Sequence, residues 1–276
     1  MSASKQDVIS SVLSSAQSCP IDSVNVYAPA NIALCKYWGK RNAELNLPVT
    51  SSLSLSLGRY GSALTLGRIG GESDAVIHNG DELDARSKFV SSLVHYLDLF
   101  RNHERFRVET RNTIPTAAGF ASSASGFAAL AMGLDAINGW GLSRTSLSIL
   151  ARLGSGSASR SVYDGLVEWE AGSAEDGMDS CAVPLENQWP ELRIGLLVLN
   201  DEAKAIGSRE AMQHTVQTSP LYEVWPALVA KDLTVMKAAI KGRDFSALGR
   251  AAEGNAMAMH ATMQAARPSV LYWTPE

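Results

Sequence analysis

A run of very small side chains at positions 116–126 restricts this chain more than any other feature. Within it only Phe120 is larger than Thr, and Gly119 is a residue that adopts positive φ readily. A helix is predicted to begin near Ser123, and its first turn presents unpaired N–H groups and the positive end of the helix dipole. The segment 111–130 therefore predicts either an anion site suited to phosphate or a tight packing corner rich in Ala and Gly.

Composition narrows the class of protein. The 276 residues suffice for one large or two modest domains, and 46% hydrophobic with 19% charged residues is typical of a soluble globular protein. The net charge of −4 comes without a block of like charges, which argues against a nucleic-acid-binding surface. If the ligand is a polyanion, the basic residues must be concentrated at its site.

Neither the cysteines nor the N-terminus indicates secretion. Cys19, Cys35 and Cys181 are too few and too scattered for a disulfide framework or a zinc site, so we expect reduced thiols in a cytoplasm. Residues 1–18 lack a basic start and a continuous apolar run, which predicts neither a signal peptide nor a membrane span. Residues 7–17 predict either a short helix or a frayed tail.

Hydrophobic periodicity predicts mixed strands and helices up to about residue 195 and mainly helices after it. Strands are predicted at 24–34, 51–57, 62–66, 74–78, 105–110, 162–170 and 192–199, with a hairpin turn at Asn79-Gly80. Helices are predicted at 84–100, 124–137, 143–153, 208–216, 222–241 and 245–266, with Ser143 as an N-cap. These elements predict a two-layer α+β fold with a domain boundary near 190–200.

The segment 36–41 places three cations and two aromatic residues within six positions. Lys36 and Lys40 are four residues apart, so both can reach one polyanion, and Tyr37 and Trp38 can form a pocket wall. The alternative is a solvated strand end. Aromatic residues between cations are unusual on a plain surface, which favours a site.

Two later segments also carry groups that bind anions. Residues 154–161 alternate Ser with small residues and include Arg160, a two-pronged donor for carboxylate or phosphate; a flexible linker is the alternative. At 207–210, Ser208 is either an ordinary N-cap or a ligand contact, and Arg209 at a helix start is unfavourable unless an anion lies nearby. The chain lacks a Walker loop and a Gly-x-Ser-x-Gly nucleophile elbow, and its five histidines show no metal-ligand spacing.

Taken in order, these segments resemble the diphosphomevalonate decarboxylase family of the GHMP kinase superfamily. The resemblance covers about residues 24–275. The most specific stretches are Lys-Tyr-Trp-Gly-Lys-Arg at 36–41 and Gly-Ser-Gly-Ser-Ala-Ser-Arg-Ser at 154–161. Further matches are Ala-Pro-Ala-Asn-Ile-Ala at 28–33, Leu-Asn-Leu-Pro at 45–48, Ser-Ser at 51–52, Pro-Thr-Ala-Ala-Gly-Phe-Ala-Ser-Ser-Ala at 115–124, Gly-Met-Asp-Ser at 177–180, Met-Gln-His-Thr-Val at 212–216 and Thr-Ser-Pro at 218–220.

The resemblance implies a fold and an activity. The fold is a GHMP-kinase-like two-domain α+β fold with a ribosomal protein S5 domain 2-like N-terminal part. The domains expected are an extension at 1–23, an ATP- and substrate-binding domain at 24–195, and a C-terminal domain at 196–276 that is incomplete in this chain. The family uses ATP and Mg²⁺ to phosphorylate the 3-hydroxyl of mevalonate 5-diphosphate and then releases CO₂ and phosphate, giving isopentenyl diphosphate for isoprenoid biosynthesis.

The same resemblance implies roles for individual residues. Lys36 and Arg160 are implied as catalytic, Arg160 by holding the carboxylate. The implied substrate contacts are Tyr37, Trp38, Gly39, Lys40, Ser155, Gly156, Ser157, Ala158, Ser159, Arg160, Ser208 and Arg209. The implied ATP contacts are Pro115, Ala118, Gly119, Ala121, Ser122, Ser123, Ala124 and Ser125, with Ser123 also near Mg²⁺.

Two departures from the family pattern leave alternatives open. Ser159 stands where many relatives have Cys, a small change. The sequence ends before a late Asp-Ala-Gly-Pro-Asn-type segment whose Asp contacts the 3-hydroxyl, so a fragment or a truncated chain with poor turnover is expected. The alternatives are a relative that decarboxylates mevalonate 5-phosphate or only phosphorylates the 3-hydroxyl, and an inactive nucleotide-binding homologue. A cytoplasmic homodimer without nucleic-acid or membrane partners is expected.

Overall fold

The computed structural model describes residues 3–113, 122–196 and 206–273, with Ser122 described by its backbone alone. The strands are β1 Ser23–Cys35, β2 Lys40–Asn42, β3 Leu47–Pro48, β4 Ser52–Ile69, β5 Ala75–His78, β6 Asp81–Glu82, β7 Arg105–Asn112, β8 Leu166–Trp169 and β9 Ala182–Pro184. The α-helices are α1 Lys5–Leu13, α2 Lys88–Leu97, α3 Ser122–Asn138, α4 Arg144–Gly154, α5 Ser208–Thr218, α6 Trp225–Gly242 and α7 Phe245–Gln264. Two 3-10 helices, Gly156–Val162 and Tyr222–Val224, complete the described elements.

Strand β4 organises the main sheet, which has seven strands among the described residues in the order β6-β5-β7-β4-β8-β9, with β1 also paired to β4. The first half of β4 pairs with β8 and the second half with β7, while β1 runs antiparallel along both halves. Only the β5–β7 pair of this described sheet is parallel. The long strand therefore connects the two ends of the fold.

The strands predicted at 51–57 and 62–66 are one continuous strand, which corrects the prediction of two. The intervening residues are polar or glycine and so look like a turn, but they remain within β4. The register against β1 shifts between Pro29 and Asn31, which accommodates the irregularity. Gly61 is required here because a Cβ would lie 2.2 Å from the carbonyl oxygen of Ala28.

The buried apolar residues form two clusters. The first combines α1, α2, α3 and α4 with β1, β4, β5 and β7. The second combines Cys35, Trp38, Leu53 and Leu166 with residues of α5, α6 and α7. Apolar packing thus continues across the predicted domain boundary near residue 195, and it ties the segment after β1 to the C-terminal helices.

The N-terminal residues form a helix rather than a frayed tail. Ser4 and Asp7 make a capping box, and the apolar side chains of Val8, Ile9 and Val12 are buried in the first cluster. The strand predicted at 192–199 is wrong over 192–196, where Leu192 donates to Trp189 in a turn; the remainder lies outside the described residues. None of the helices in the described ranges is long and apolar enough to cross a bilayer.

Candidate active site

The cationic segment 36–41 leaves β1 and is held in place from the C-terminal helices. The backbone N–H of Lys36 donates to Oδ1 of Asn255 at 2.8 Å, and the Asn255 amide donates to Asp232 at 2.9 Å. Asn255 is fully buried on α7, and Asp232 lies on α6. The Lys36 ammonium donates to the carbonyl of Ala33 at 3.0 Å. Burial and the nearby Arg160 charge lower the pKa of Lys36.

Trp38 and Gly39 show why this segment needs its particular residues. Trp38 is buried in the second cluster, and its carbonyl accepts a hydrogen bond from the Tyr222 hydroxyl at 3.0 Å. Gly39 has φ of 112°, and a Cβ there would lie 1.6 Å from the same hydroxyl oxygen. Trp38 therefore anchors the segment to the core. The ring of Tyr37 meets the ring of Trp169 edge-on, with 4.8 Å between the ring centroids.

In the segment 154–161, Gly154 ends α4 and a 3-10 helix begins at Gly156, so the segment is not a flexible linker. This helix buries Arg160. The guanidinium donates to Ser52 Oγ at 2.5 Å and to Asn31 Oδ1 at 3.2 and 3.3 Å. It forms no salt bridge with a carboxylate of the described residues. Burial lowers the pKa of Arg160 to about 10, so the group stays cationic at neutral pH. A buried cation balanced only by neutral oxygens is suited to pairing with a ligand carboxylate.

Tyr37, near Arg160, has a buried hydroxyl whose hydrogen-bonding capacity is unused among the described residues. Its hydroxyl is buried and has no hydrogen-bond partner among the described residues. Burial raises its pKa, and the charges of Arg160 and Arg209 oppose that rise. Gly156 is required beneath it, because a Cβ would lie 2.8 Å from the Tyr37 hydroxyl oxygen and 2.9 Å from the Trp169 ring. The hydroxyl is thus oriented for a ligand that the two arginines would attract.

The other residues predicted at 155–159 differ in where they point. Ser155 and Ser157 are half-buried, whereas Ala158 and Ser159 are fully buried. The Ser159 hydroxyl donates to the carbonyl of Gly156 at 2.8 Å, so it is used within the helix. Ser155 and Ser157 are therefore better placed than Ser159 to meet a ligand.

Lys40 and Arg209 line one cavity of about 690 Å³, although they lie in different parts of the chain. Lys40 donates to Asn46 at 2.6 Å, and burial together with the charges of Arg209 and Lys5 lowers its pKa to about 8. Ser208 is the first residue of α5 and is exposed; the N-cap is Gly207, which corrects the N-cap reading of Ser208. Of the predicted cationic residues, Lys40, Arg41 and Arg209 therefore line one cavity, whereas Lys36 is not among its lining residues.

The predicted nucleotide side is described only from the start of α3. Ser123 is exposed there, Ala124 is buried, and the buried Ser125 hydroxyl lies 2.8 Å from that of Ser62. Pro115, Ala118, Gly119, Ala121 and the side chain of Ser122 lie outside the described residues. No group of three His, Cys, Asp or Glu in the described part of the chain could hold a metal.

Several residues that shape the site were missed by sequence reasoning. Asn31 and Ser52 hold Arg160, Asn255 holds Lys36, and Tyr222 packs on Gly39. Arg152 is also fully buried, and it donates to the carbonyls of Gly177 and Ser180 at 2.6 and 2.5 Å. Asn31 lies within the family-like stretch at 28–33 and Ser52 within that at 51–52, so both had a usable signal. Asn255, Tyr222 and Arg152 act through contacts that no local pattern reveals.

The fold and the site together define a class of protein, namely a two-layer α+β protein with a cavity lined by several cations. Comparison with known proteins makes this specific. Residues 28–182 match the family model "Diphosphomevalonate decarboxylase-like N-terminal domain", and residues 194–275 match "Mevalonate 5-diphosphate decarboxylase C-terminal domain". The chain belongs to the diphosphomevalonate decarboxylase family, as its sequence motifs predicted.

Individual relatives agree with this assignment. The Bos taurus diphosphomevalonate decarboxylase is 39% identical over 274 residues, covering 92% of this chain and 68% of its own length. The crystal structure of mevalonate diphosphate decarboxylase from Staphylococcus aureus has a TM-score of 0.83 at 36% identity, covering 92% of this chain and 78% of that one. A structure described as MDDEF in complex with MVAPP, AMPPCP and magnesium has a TM-score of 0.81 at 37% identity, covering 92% and 79%.

Two consequences follow from these comparisons. The predicted α+β, GHMP-kinase-like fold is confirmed by structures that superpose on nearly all of this chain. The chain spans about two thirds of the length of the curated relatives it matches.

Proposed function

We propose that this protein catalyses the ATP-dependent decarboxylation of mevalonate 5-diphosphate to isopentenyl diphosphate, with release of CO₂, ADP and phosphate. One observation carries the proposal: the buried Arg160 guanidinium, without a carboxylate partner in the described residues, lies beside the unpartnered Tyr37 hydroxyl. The cationic cavity at Lys40 and Arg209 is close enough for its charge to act on Tyr37. A substrate carboxylate would pair with Arg160, and a diphosphate in the cavity would pair with Lys40 and Arg209.

The reaction has two steps that these residues can assist. The 3-hydroxyl oxygen attacks the γ-phosphorus of ATP, the bond between that phosphorus and the oxygen of ADP breaks, and the hydroxyl proton passes to water. The C3–O bond then breaks with phosphate as the leaving group, and the electron pair of the C1–C2 bond forms the C2=C3 double bond as CO₂ departs. Arg160 holds positive charge near the substrate carboxylate, and Lys36 holds positive charge near the departing phosphate. Neutralising charge on the transferred group and holding the reactants in position are the main catalytic contributions in phosphoryl transfer.

The residues present fit ATP and Mg²⁺ as the co-substrate and the metal. Mg²⁺ bound to a nucleotide keeps several waters and uses phosphate oxygens, so it needs no cluster of protein carboxylates. The exposed Ser123 at the start of α3 supplies a hydroxyl and lies at the positive end of the helix dipole. When bound, Mg²⁺ neutralises charge on the transferring phosphoryl group.

The charge of the cavity favours a diphosphate over a monophosphate. Lys40 and Arg209 line it together, and the pKa of Lys40 is lowered by burial and then by repulsion from Arg209 and Lys5. An anion with more negative charge relieves more of that repulsion. We therefore propose mevalonate 5-diphosphate as the substrate in preference to mevalonate 5-phosphate.

The test is the stoichiometry of the reaction with the full-length protein. We expect ADP, phosphate and CO₂ to appear in equal amounts, and only when mevalonate 5-diphosphate, ATP and Mg²⁺ are all present. ADP formation without CO₂ would identify a 3-kinase and overturn the decarboxylase assignment.

We further propose that the protein is a cytoplasmic homodimer. Cys19, Cys35 and Cys181 are all free thiols, as expected in a reducing compartment. The dimer rests on the family resemblance. Light scattering on the purified full-length protein tests it: a monomer mass at micromolar concentration would contradict the dimer.

A further inference from the structure

The cavity at Lys40 and Arg209 has a third wall that the family resemblance does not cover. The first residues of α1, including Lys5, line it together with α5 and the residues that follow β2. Four of its lining side chains carry positive charge and one is a carboxylate: Lys5, Lys40, Arg41, Arg209 and Glu44. The family model begins at residue 28, so α1 lies outside the matched region.

Helix α1 is anchored firmly enough to fix the position of Lys5. The capping box between Ser4 and Asp7 closes its first turn, with hydrogen bonds of 2.8 and 3.2 Å. Val8 and Ile9, one turn further on, are 1% and 2% exposed in the first apolar cluster. A side chain at the first helical position therefore has a defined place at the edge of the cavity.

The placement of Lys5 is electrostatically unfavourable in the protein alone. A cation at the first position of a helix opposes the positive end of the helix dipole. The ammonium of Lys5 makes no hydrogen bond or ion pair with any residue that the structure describes. Burial and the charge of Arg209 lower its pKa, whereas Glu44 opposes that change. Lys5 in turn is one cause of the lowered pKa of Lys40.

An anion in the cavity would offset the unfavourable helix-dipole interaction of Lys5 and its repulsion by Arg209, and it would give the ammonium a partner. Its charge would pair with Lys5, Lys40 and Arg209 at once, and charge-assisted hydrogen bonds of this kind are the strong ones. We propose that Lys5 is a binding residue for the diphosphate group of the substrate, and that the N-terminal helix serves to hold it there. This inference rests on the proposed function for the identity of the ligand, but the anion site itself can be tested without the reaction.

The experiment measures binding of inorganic pyrophosphate to the full-length protein by isothermal titration calorimetry. In Lys5→Gln we expect the dissociation constant to rise about 10-fold, which corresponds to loss of one charged contact. Lys5→Arg should restore binding to within about 3-fold, since it retains the charge. Lys40→Gln should also weaken binding, which locates the probe in this cavity.

The matched control is Lys88→Gln. Lys88 is likewise the first residue of a helix, α2, with a serine N-cap at Ser87, but it is exposed and does not line the cavity. Its substitution should leave pyrophosphate binding unchanged. Steady-state kinetics should show a higher KM for mevalonate 5-diphosphate in Lys5→Gln, with the KM for ATP unchanged.

The possible outcomes separate the two proposals. Wild-type affinity for pyrophosphate in Lys5→Gln, equal weakening in Lys88→Gln, or no pyrophosphate binding by the wild type would each overturn the role of Lys5. If pyrophosphate binds through Lys5 but mevalonate 5-diphosphate is not decarboxylated, the proposed function fails while the anion site stands. Matching melting temperatures of the variants exclude a folding defect as the cause.

Discussion

Among the predicted site residues, Arg160 is a buried cation without a carboxylate partner in the described residues. It is 2% exposed, and its described partners are the neutral oxygens of Asn31 and Ser52. Burying a charge this way is unfavourable unless the group also serves a ligand, and such residues are candidates for function. The expected service is to hold the substrate carboxylate until CO₂ leaves.

We predict that Arg160→Gln lowers kcat/KM for decarboxylation. The loss corresponds to about 2–4 kcal/mol of transition-state stabilisation, because a buried charged hydrogen bond is lost. Steady-state release of CO₂ measures this. Arg86→Gln is the control, since the Arg86 side chain is 91% exposed and lies in no described cavity. An unchanged kcat/KM in Arg160→Gln would mean that its role is misplaced.

Lys40 should give the activity an alkaline limit. The pKa of Lys40 is lowered to about 8 by burial, Arg209 and Lys5, so the amine loses its proton as pH rises through that value. The neutral amine no longer attracts the diphosphate, so kcat/KM should fall above about pH 8. Lys40→Arg should extend the plateau to higher pH, since a guanidinium stays charged. An identical alkaline limb in Lys40→Arg would assign the titration to another group.

At the level of elements, the packing of α6 and α7 against the end of β1 positions Lys36. The contact runs from Asp232 through Asn255 to the Lys36 backbone N–H, at 2.9 and 2.8 Å. Both helices belong to the C-terminal part of the chain, whereas Lys36 belongs to the N-terminal part. The position of the predicted catalytic lysine thus depends on the docking of these helices.

We predict that Asn255→Ala lowers the free energy of unfolding by about 1–3 kcal/mol, because the Lys36 N–H loses its acceptor in a buried setting. It should also reduce kcat more than it changes the KM for mevalonate 5-diphosphate, since Lys36 loses its position and the diphosphate cavity is elsewhere. Urea denaturation and steady-state kinetics measure the two effects. Met257→Ala on the exposed face of α7 is the control, with a change within about 0.5 kcal/mol. Equal stability of Asn255→Ala and the wild type would contradict the positioning role.

Elements with a strong local signal were predicted well from sequence. The Ser143 cap is confirmed, since its side chain accepts from the backbone N–H of Ser146. The Asn79-Gly80 turn is confirmed by φ of 54° and 99° at its two residues. Strands of two or three residues such as β2, β3, β6 and β9 were missed, because so few residues show no alternating pattern of their own.

Across the whole molecule, the sequence predicted several residues that the fold brings together but not the residues that support them. Tyr37, Arg160 and Arg209 are far apart in the chain, yet the charges of both arginines act on the Tyr37 hydroxyl. Tyr222 and Arg152 were not predicted, because they support the site through packing on Gly39 and through backbone carbonyls. Lys5 was not predicted because its importance comes from the cavity that it shares with residues from two other segments.

The second apolar cluster joins the segment after β1 to the C-terminal helices. Trp38, two residues after the predicted catalytic Lys36, and Trp225 of α6 are 4% and 1% exposed in the same cluster. The parts of the chain before and after the predicted boundary therefore share one apolar cluster. We expect the protein to bind the diphosphate in the cavity at Lys40 and Arg209 and to release CO₂ beside Arg160.

The most direct test supplies the full-length protein with ATP, Mg²⁺ and either mevalonate 5-diphosphate or mevalonate 5-phosphate, each labelled in the carboxyl carbon. We predict labelled CO₂ and one isopentenyl diphosphate per ATP consumed from the diphosphate, with kcat/KM at least about 10-fold lower for the monophosphate because one charged contact is lost. Equal turnover of the two substrates, or ATP consumption without labelled CO₂, would contradict the account.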